Sequence, residues 1–328
     1  MLLSRRAALA VPIVLAALSP AFAADSSLLT STAPDRQEKL EAAAKKEGSL
    51  SLYTSIAQKD LQPIIEPFEK KYGIKVNVWR ASGDTTLQRV IQEQRAGRYT
   101  VDVVHFGAPE LEALRREKLL QPVSSPVFAD LIDGAVPSHR EWVSTLLSVW
   151  VQAYNTNLVK KEDLPKTYRD LLDPKWKDKL GFEVENLEWF MTVANTLGGD
   201  SGVQFFRDLV AAGEVPLALT VYNYMPVQAK EQGAPIDWFA LEPAVARPNG
   251  AAILKNAQSP NAAALFLDYL LSDAQNTLYS LSYVPTSKKV ETPLKGIQIE
   301  IADPAEKLDN SEKWEPLYQQ IIVKRAAK

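Results

Sequence analysis

Apolar residues along this chain follow two alternating periodicities. The run LSLYT at residues 50–54 has the length and residue types of a strand. The segment after it carries apolar residues at the i, i+3, i+4, i+7 and i+11 positions of one helix face, namely Leu61, Ile64, Ile65, Phe68 and Tyr72. Gly73 follows as a helix stop, whereas Pro67 predicts a kink or break inside the helix. The pattern predicts a strand followed by a helix.

The same alternation is repeated twice. Lys75–Trp79 and Val101–Phe106 are predicted strands, and each precedes a predicted helix, from Thr85 to Arg95 and from Pro109 to Glu117. Proline favours the first turn of a helix, which supports the start at Pro109. Alternating units of this kind predict an α/β fold, in which helices cover both faces of a parallel sheet.

A longer apolar run, Leu146–Tyr154, predicts a strand that is buried on both sides and crosses between two lobes. A second α/β block follows, with predicted strands at 180–184 and 215–222 and predicted helices at 189–197 and 202–211. From Gly250 the chain is expected to return to the first lobe, continue through a helix at Pro260–Leu271, and end in an outer helix over 311–325. The predicted organisation is a signal peptide at 1–23, a first lobe of 24–152 plus 247–328, and a second lobe of 153–246.

Residues 1–23, MLLSRRAALAVPIVLAALSPAFA, have the features of an export signal. Two arginines precede an apolar stretch, and Ala21-Phe22-Ala23 is a small-x-small cleavage site. A membrane helix is the alternative, but the apolar stretch is shorter than the roughly 18 to 20 residues needed to span a bilayer. Because Ser4-Arg5-Arg6 also resembles a twin-arginine signal, both the Sec and the twin-arginine routes are open. The sequence therefore predicts cleavage after Ala23 and a location in the periplasm.

Composition narrows the function classes. The 328 residues include 37 Lys and Arg against 40 Asp and Glu, a net charge of -3, so the basic excess of a nucleic-acid-binding protein is missing. The absence of cysteine excludes disulfides and thiolate metal sites. No GxSxG, P-loop or GxGxxG motif occurs in the sequence, and no cofactor is predicted.

Three segments carry a family resemblance: EPFEKKYGIKVNVWRASGDTTLQRVIQEQRAGRYTVDVV, VQAYNTNLVKKEDLPKTYRDLLDPKWKDKLGF and ILKNAQSPNAAALFLDYLLSDAQNTL. They resemble the periplasmic solute-binding proteins of ABC importers, in the branch that contains the ferric-iron-binding proteins. The resemblance implies a two-lobed clamshell of type II with a hinge and a ligand held between the lobes. It also implies a monomer that delivers its ligand to an ABC permease in the inner membrane.

The segment Arg80-Ala81-Ser82-Gly83-Asp84 precedes a predicted helix of the first lobe. A guanidinium, a hydroxyl and free backbone N–H groups at a helix N-terminus bind an anion, so Arg80, Ser82 and Gly83 are candidate ligands for a carboxylate or phosphonate. The alternative is structural, with Arg80 paired to a surface acid and Ser82 or Asp84 capping the helix.

Residues at the ends of other predicted strands extend this candidate site. Tyr53, Thr54 and Ser55 end the first strand, and His105 and Phe106 end the third, so in a parallel sheet these residues are expected at the cleft edge. His105 has a structural role as its alternative. Trp189, at the start of a predicted helix, is a candidate contact from the second lobe.

The resemblance also raises ferric iron as the ligand. Ferric-binding relatives carry two adjacent tyrosines, and here Tyr224 aligns with one of them and Asn223 with the other. Ala57 and Gly107 stand where many relatives have a histidine and a glutamate. If iron is bound, Tyr222 and Tyr224 are the predicted phenolate ligands, because residues two apart share one face of an extended segment. Otherwise the two rings stack on an organic ligand or pack into the second lobe.

The chain between Leu209 and Ala218 is about one βα unit shorter than in relatives, which predicts a reduced binding surface on the second lobe.

Other functions remain as alternatives. Gly199-Asp200-Ser201-Gly202 matches the string around a serine-protease nucleophile, but nothing ties a histidine to it, so helix capping explains it better than hydrolysis. A ligand-sensing co-receptor uses the same clamshell as a transport protein.

Overall fold

The computed structural model describes residues 26–182, 186–209 and 216–323. Within these ranges no helix combines the length and apolar character needed to cross a bilayer. The strands are β1 Ser49–Thr54, β2 Lys75–Arg80, β3 Val103–Gly107, β4 Val143–Asn155, β5 Leu180–Gly181, β6 Leu217–Tyr222, β7 Ile236–Phe239, β8 Ala244–Ile253, β9 Val284–Pro285 and β10 Ile299–Ile301. The helices are α1 Arg36–Glu47, α2 Gln58–Tyr72, α3 Gly83–Arg95, α4 Ala108–Arg116, α5 Leu187–Thr196, α6 Asp200–Leu209, α7 Tyr224–Glu231, α8 Pro260–Leu270, α9 Ala274–Ser280, α10 Pro304–Asp309 and α11 Ser311–Tyr318, which continues into a π-helical turn at Gln319–Val323.

The first lobe is built on a parallel three-stranded unit, as the alternating pattern predicted. Strand β1 pairs in parallel with β2 on one side and β3 on the other, and β8 adds antiparallel to β3. Helix α2 runs uninterrupted past Pro67 because its apolar face, including the buried Phe68, packs on Phe266 with ring centroids 4.9 Å apart. Gly73 ends this helix in the left-handed region with φ +69°.

Strand β4 belongs to both lobes. Its first half, Val143–Val149, pairs with β8, and its second half, Trp150–Asn155, pairs with β6 and β7. Every residue of β4 except Asn155 is buried, which confirms the predicted strand buried on both sides. The change of partners falls at Val149 and Trp150. Strand β8 returns from the second lobe, so two adjacent strands link the lobes.

The second lobe has an aromatic core. Phe190 and Trp189 of α5 pack on Phe206 of α6, with ring centroids 4.6 and 5.3 Å apart. Trp314 of α11 is fully buried in the same cluster, 6.1 Å from the Phe190 ring. Helix α11 is an outer helix, as predicted, and only its Trp314 and Tyr318 are buried. Because these residues pack in the core of the second lobe, the assignment of all of 247–328 to the first lobe is corrected. The apolar face of α11 covers aromatic rings that would otherwise meet water.

Several predicted boundaries in the second lobe reach residues outside the described ranges. The predicted strand at 180–184 is observed over Leu180–Gly181, and Val184 lies outside the described residues. The strand predicted from Val215 is observed from Leu217. Most of the stretch with the predicted deletion, residues 210–215, also lies outside the described ranges, so the deletion stays a prediction.

Candidate functional site

A cleft of about 510 Å³ opens between the carboxyl ends of β1, β2 and β3 and the second-lobe segments around α5 and α7. Its walls are mostly polar or charged. They are formed by Ser55, Ile56, Ala57, Arg80, Ser82, Gly83, Asp84, His105, Gly107, Glu110, Leu146, Ser148, Glu188, Tyr222, Tyr224, Arg247, Asn249, Tyr283 and Lys307. Both lobes and both linking strands thus contribute side chains to one cavity.

Strand register explains why distant residues meet there. The three parallel strands end at the same edge of the sheet, and the cleft lies at that edge. On the linking strands, Arg247 lies opposite Ser148 and Asn249 lies opposite Leu146. Because alternate residues of a strand share a face, these four positions project together into the cleft.

Several helices begin at this cavity. Helices α2 and α4 start directly after Ala57 and Gly107, and α3 starts at Gly83. Ser82 caps α3 by accepting a hydrogen bond from the Thr85 amide at 3.3 Å, so the capping alternative for Ser82 is confirmed. The first amides of a helix have no intrahelical acceptor and carry the positive end of its dipole. The first-lobe wall is therefore attractive to negative charge.

Arg80 is exposed at this wall and is oriented by one contact. Its Nε donates a hydrogen bond to the Ile56 carbonyl at 3.1 Å, and no ion pair joins its guanidinium to an acid within the described parts of the chain. The alternative in which Arg80 pairs with a surface acid is therefore wrong. The two terminal nitrogens of Arg80 are therefore available to donate hydrogen bonds to a ligand.

A second arginine, Arg247, is partly buried between two buried acids. Its Nη2 lies 2.8 and 2.9 Å from the two carboxylate oxygens of Glu110, and its Nε lies 3.2 Å from Oε1 of Glu188. Burial by itself lowers the pKa of Arg247, but Glu188 and Glu110 outweigh that effect and raise it, so the guanidinium stays charged. Lys307 Nζ lies 3.7 Å from the other oxygen of Glu188.

His105 forms part of the floor of the cleft. Its Nε2 lies 2.7 Å from the hydroxyl of Thr145, while its Nδ1 is buried and has no hydrogen-bond partner in the described structure. Burial lowers the pKa of His105 to about 4. The imidazole is therefore neutral at pH 7, and it contributes hydrogen-bonding atoms to the site but no charge.

Tyr222 and Tyr224 both line the cleft. Their rings stack at an angle of 18° with centroids 6.0 Å apart, and Trp150 packs on Tyr222 from the second-lobe side. Tyr283 lies 4.8 Å from the Tyr224 ring and donates a hydrogen bond to Asp60 at 2.7 Å. Burial and this contact raise the pKa of Tyr283, so it remains a neutral phenol.

Four predicted site residues point away from the cleft. Tyr53 faces the opposite side of the sheet, where its hydroxyl lies 3.1 Å from Glu93, and Thr54 is buried with its hydroxyl accepting a hydrogen bond from the Ile56 amide. Phe106 and Trp189 are buried in the two hydrophobic cores. Their neighbours Ser55, His105 and Glu188 line the cavity instead, because adjacent positions on a strand or helix face different directions. This corrects the expectation that all residues at the strand ends reach the ligand.

Residues that the sequence analysis missed carry most of the charge in the cleft. Glu110, Glu188, Arg247 and Lys307 come from four separate elements or loops, and no local motif marks them. The sequence contained one indirect indication that Glu110 belongs to the site. Glu110 lies one helical turn after the end of β3, in the first turn of a helix that begins at the cleft.

Two α/β lobes joined by adjacent strands around a polar cleft define a two-lobed solute-binding protein. Residues 53–277 match the family of bacterial extracellular solute-binding proteins, and the chain belongs to this family. The expected role as the periplasmic solute-binding component of an ABC importer is thereby confirmed at the level of the family, and the hydrolase alternative is excluded.

Relatives of known structure or function share the fold at low sequence identity. The major ferric iron-binding protein of Neisseria meningitidis is 25% identical over 285 residues, 78% of this chain and 83% of the relative. Iron-bound HitA from Pseudomonas aeruginosa superposes with a TM-score of 0.72 at 22% identity, covering 84% of this chain and 99% of HitA. AfuA from Actinobacillus pleuropneumoniae, with fructose-6-phosphate bound, superposes with a TM-score of 0.68 at 21% identity, covering 84% and 97%. These relatives hold different ligands, so the fold alone does not identify the solute.

Proposed function

We propose that the cleft captures a small organic anion, such as a carboxylate, phosphonate or phosphate ester, and that the protein delivers it to an ABC permease in the inner membrane. In this proposal residues 1–23 direct export to the periplasm and are removed. The observation that carries the choice of ligand is Arg80, whose terminal nitrogens face the cleft beside the N-terminus of α3 and are paired with no acid of the described structure.

Electrostatics supports an anion at this wall. The charges of Glu110 and Glu188 are already balanced by Arg247 and Lys307, whereas the charge of Arg80 is not compensated by an ion pair. The amides at the starts of α2, α3 and α4 add positive potential at the same wall. Asp84 in the first turn of α3 also lines the cleft, so the three lining cations Arg80, Arg247 and Lys307 equal the three lining acids in number. An anion would therefore be held by the unpaired guanidinium of Arg80 and the helix amides, not by a net positive charge of the cleft.

Substitution of Arg80 by alanine tests this proposal directly. Wild-type protein lacking residues 1–23 is screened by thermal shift against citrate, methylphosphonate, inorganic phosphate and fructose-6-phosphate, and an anion present at 100 times its Kd adds about 2.7 kcal/mol of stability. We expect Arg80→Ala to weaken binding of the stabilising anion by about 1.5 to 3 kcal/mol, the value of a charge-assisted hydrogen bond. Isothermal titration calorimetry measures the change in Kd.

Arg98→Ala is the matched control, because Arg98 is exposed and precedes β3 at the end of that strand opposite the cleft. It should bind the anion as the wild type does. An unchanged Kd in Arg80→Ala, or the absence of any stabilising anion in the screen, would contradict the proposal.

Ferric iron is a second candidate because Tyr222 and Tyr224 lie side by side in the cleft. Phenolate oxygen is a preferred ligand of hard ferric iron, and a ferric-phenolate complex absorbs visible light. If the two tyrosines bind iron, the protein loaded with Fe(III) should be coloured, and the variant with both tyrosines changed to phenylalanine should be colourless. A colourless wild-type protein with no thermal stabilisation by Fe(III) leaves the organic anion as the ligand.

A ligand-sensing co-receptor would use the same cleft, so binding alone does not separate it from a carrier. Loss of uptake after deletion of the permease does not separate them either, because uptake needs the permease in both cases. A growth phenotype that depends on both the protein and a signalling kinase would identify a co-receptor.

A further inference from the structure

The partly buried Arg247 occupies the centre of a cluster of oxygen atoms contributed by both lobes. Glu110 begins α4 in the first lobe, Glu188 begins α5 in the second lobe, and the hydroxyl of Tyr222 at the end of β6 also interacts with the guanidinium. The two acidic side chains are 7% and 4% exposed. Carboxylate and phenolate oxygens are the donors that hard, highly charged metal ions prefer.

The guanidinium fills the space in this cluster. A Cβ atom placed on Gly107 would lie 2.4 Å from Nη2 of Arg247 and 2.5 Å from a carboxylate oxygen of Glu110. The absence of a side chain at residue 107 therefore lets Arg247 and Glu110 pack directly against the backbone at the end of β3. With any larger residue there, the side-chain ends of Arg247 and Glu110 would have to shift.

The contacts within the cluster are unequal. Glu110 receives two hydrogen bonds from Arg247, whereas Oε1 of Glu188 lies 3.2 Å from Nε of Arg247 without hydrogen-bond geometry, and both of these atoms lack a hydrogen-bond partner in the described structure. Glu188 is thus held by charge attraction to Arg247 and Lys307. Removing the guanidinium leaves two buried carboxylates with a single nearby cation.

We propose that Arg247 is a built-in cation that keeps metal ions out of the Glu110–Glu188–Tyr222 cluster, and so makes the cleft selective for metal-free anions. The proposal rests on the proposed function in anion binding. Arg247 is a specificity-determining residue in this scheme. A metal ion must displace a partly buried guanidinium that is paired with two buried acids before it reaches these oxygens, and the loss of both ion pairs opposes metal binding. The donor set that surrounds Arg247 does not fit ferric iron while the arginine is in place.

Terbium(III) is the probe for this proposal, because it binds oxygen ligands and its emission is sensitised by a nearby tyrosine. The wild-type protein lacking residues 1–23 should show no saturable terbium binding. Arg247→Ala should gain a single site with sensitised emission, with affinity increased on the order of 100-fold, because the buried carboxylates are then left without their partner. Adding Glu110→Gln to Arg247→Ala should abolish that gain.

Two controls separate the effect from a general change in charge. Arg80→Ala removes one positive charge from the same cleft but leaves the cluster intact, so it should gain no terbium site. Arg247→Lys keeps a cation in place and should also gain none. Circular dichroism verifies the fold of each variant, and terbium should raise the Tm of Arg247→Ala.

The wild-type titration decides the question even if Arg247→Ala does not fold. Saturable binding of terbium to the wild type that Glu110→Gln abolishes would overturn the proposal, as would a folded Arg247→Ala that gains no site. These titrations contain no organic anion, whereas the Arg80 experiment contains no metal, so failure of one proposal is distinguishable from failure of the other.

Discussion

His105 illustrates how a single buried side chain makes the site sensitive to acid. It lies on β3 with its Nε2 against Thr145, and burial lowers its pKa to about 4. In the unfolded chain its pKa returns to about 6.5, so between these two values the unfolded state binds more protons than the folded state. Stability contributed by the neutral form is therefore present above about pH 6.5 and is lost as the pH falls toward 4.

We predict that the His105→Leu variant loses this acid dependence. From these two pKa values, the wild type should lose about 2 kcal/mol of unfolding free energy through His105 between pH 7 and pH 5, and the variant should not. Urea denaturation at both pH values measures the difference. His139→Asn serves as the comparison, because His139 is only partly buried and lies outside the cleft. Equal acid sensitivity in wild type and His105→Leu would contradict the assignment.

At the residue scale, sequence analysis found the part of the site that is local in the chain. Arg80, Ser82 and Gly83 stand together between a strand and a helix, and that order alone placed them at the cleft edge. Arg247 and Glu110 are 137 positions apart, and they meet because β8 runs antiparallel to β3. No local pattern encodes that pairing, so the central ion pair could not be predicted.

Among elements, the contact between α5 and α6 depends on a glycine. A Cβ atom on Gly202 would lie 2.2 Å from the carbonyl oxygen of Ala194 and 2.6 Å from its Cα. Both are backbone atoms, so relieving the clash would require a shift of the helix backbone. This close approach brings Phe206 onto Phe190 and Trp189 in the core of the second lobe. The glycine that resembled part of a protease motif therefore has a packing role.

Gly202→Ala should force the two helices apart and lower the unfolding free energy by about 1 to 3 kcal/mol, the usual cost of overpacking. Thermal unfolding monitored by tryptophan fluorescence measures the change. Ser201→Ala, at an exposed position in the same helix, should change stability by less than about 0.5 kcal/mol. Equal Tm values for Gly202→Ala and wild type would show that the helices relax without cost.

Helices and strands could be predicted from the sequence where the spacing of apolar residues and the residues that end a helix indicated the same boundaries. The strands and helices from Leu50 to Arg116 match their predicted positions within a few residues, because each apolar run has one length and one period. The terminal helix α11 was also expected, but its partner was not: an amphipathic pattern shows that one face is buried and does not show against what. Packing of Trp314 on Phe190 is a property of the assembled second lobe.

For the whole molecule, the proposed function requires ligand to bring the lobes together. Arg80 and Ser82 lie on one side of the cleft, Tyr222 and Glu188 on the other, so a ligand that contacts both sides stabilises the closed arrangement by its differential affinity. Small-angle X-ray scattering on the protein lacking residues 1–23 should show a smaller radius of gyration when a stabilising anion is added. The Arg80→Ala variant at the same anion concentration provides the control.

An anion that binds tightly yet leaves the radius of gyration unchanged would show that the lobes do not move. The cleft would then be a preformed pocket, and a permease would have to recognise occupancy by a feature other than closure. Binding through Arg80 would survive that result, because it depends only on the first-lobe wall.

The sharing of β4 between the lobes limits how they can rotate. A flexible linker would let the lobes rotate independently. Here one continuous strand changes its partner from β8 at Val149 to β6 at Trp150, and β7 joins it at Gln152. Rotation must therefore be absorbed as added twist of β4 and β8, with their ladders intact. The amides on either side of this step should therefore remain protected from hydrogen exchange in both the open and the closed protein, because the strands twist without breaking their backbone hydrogen bonds.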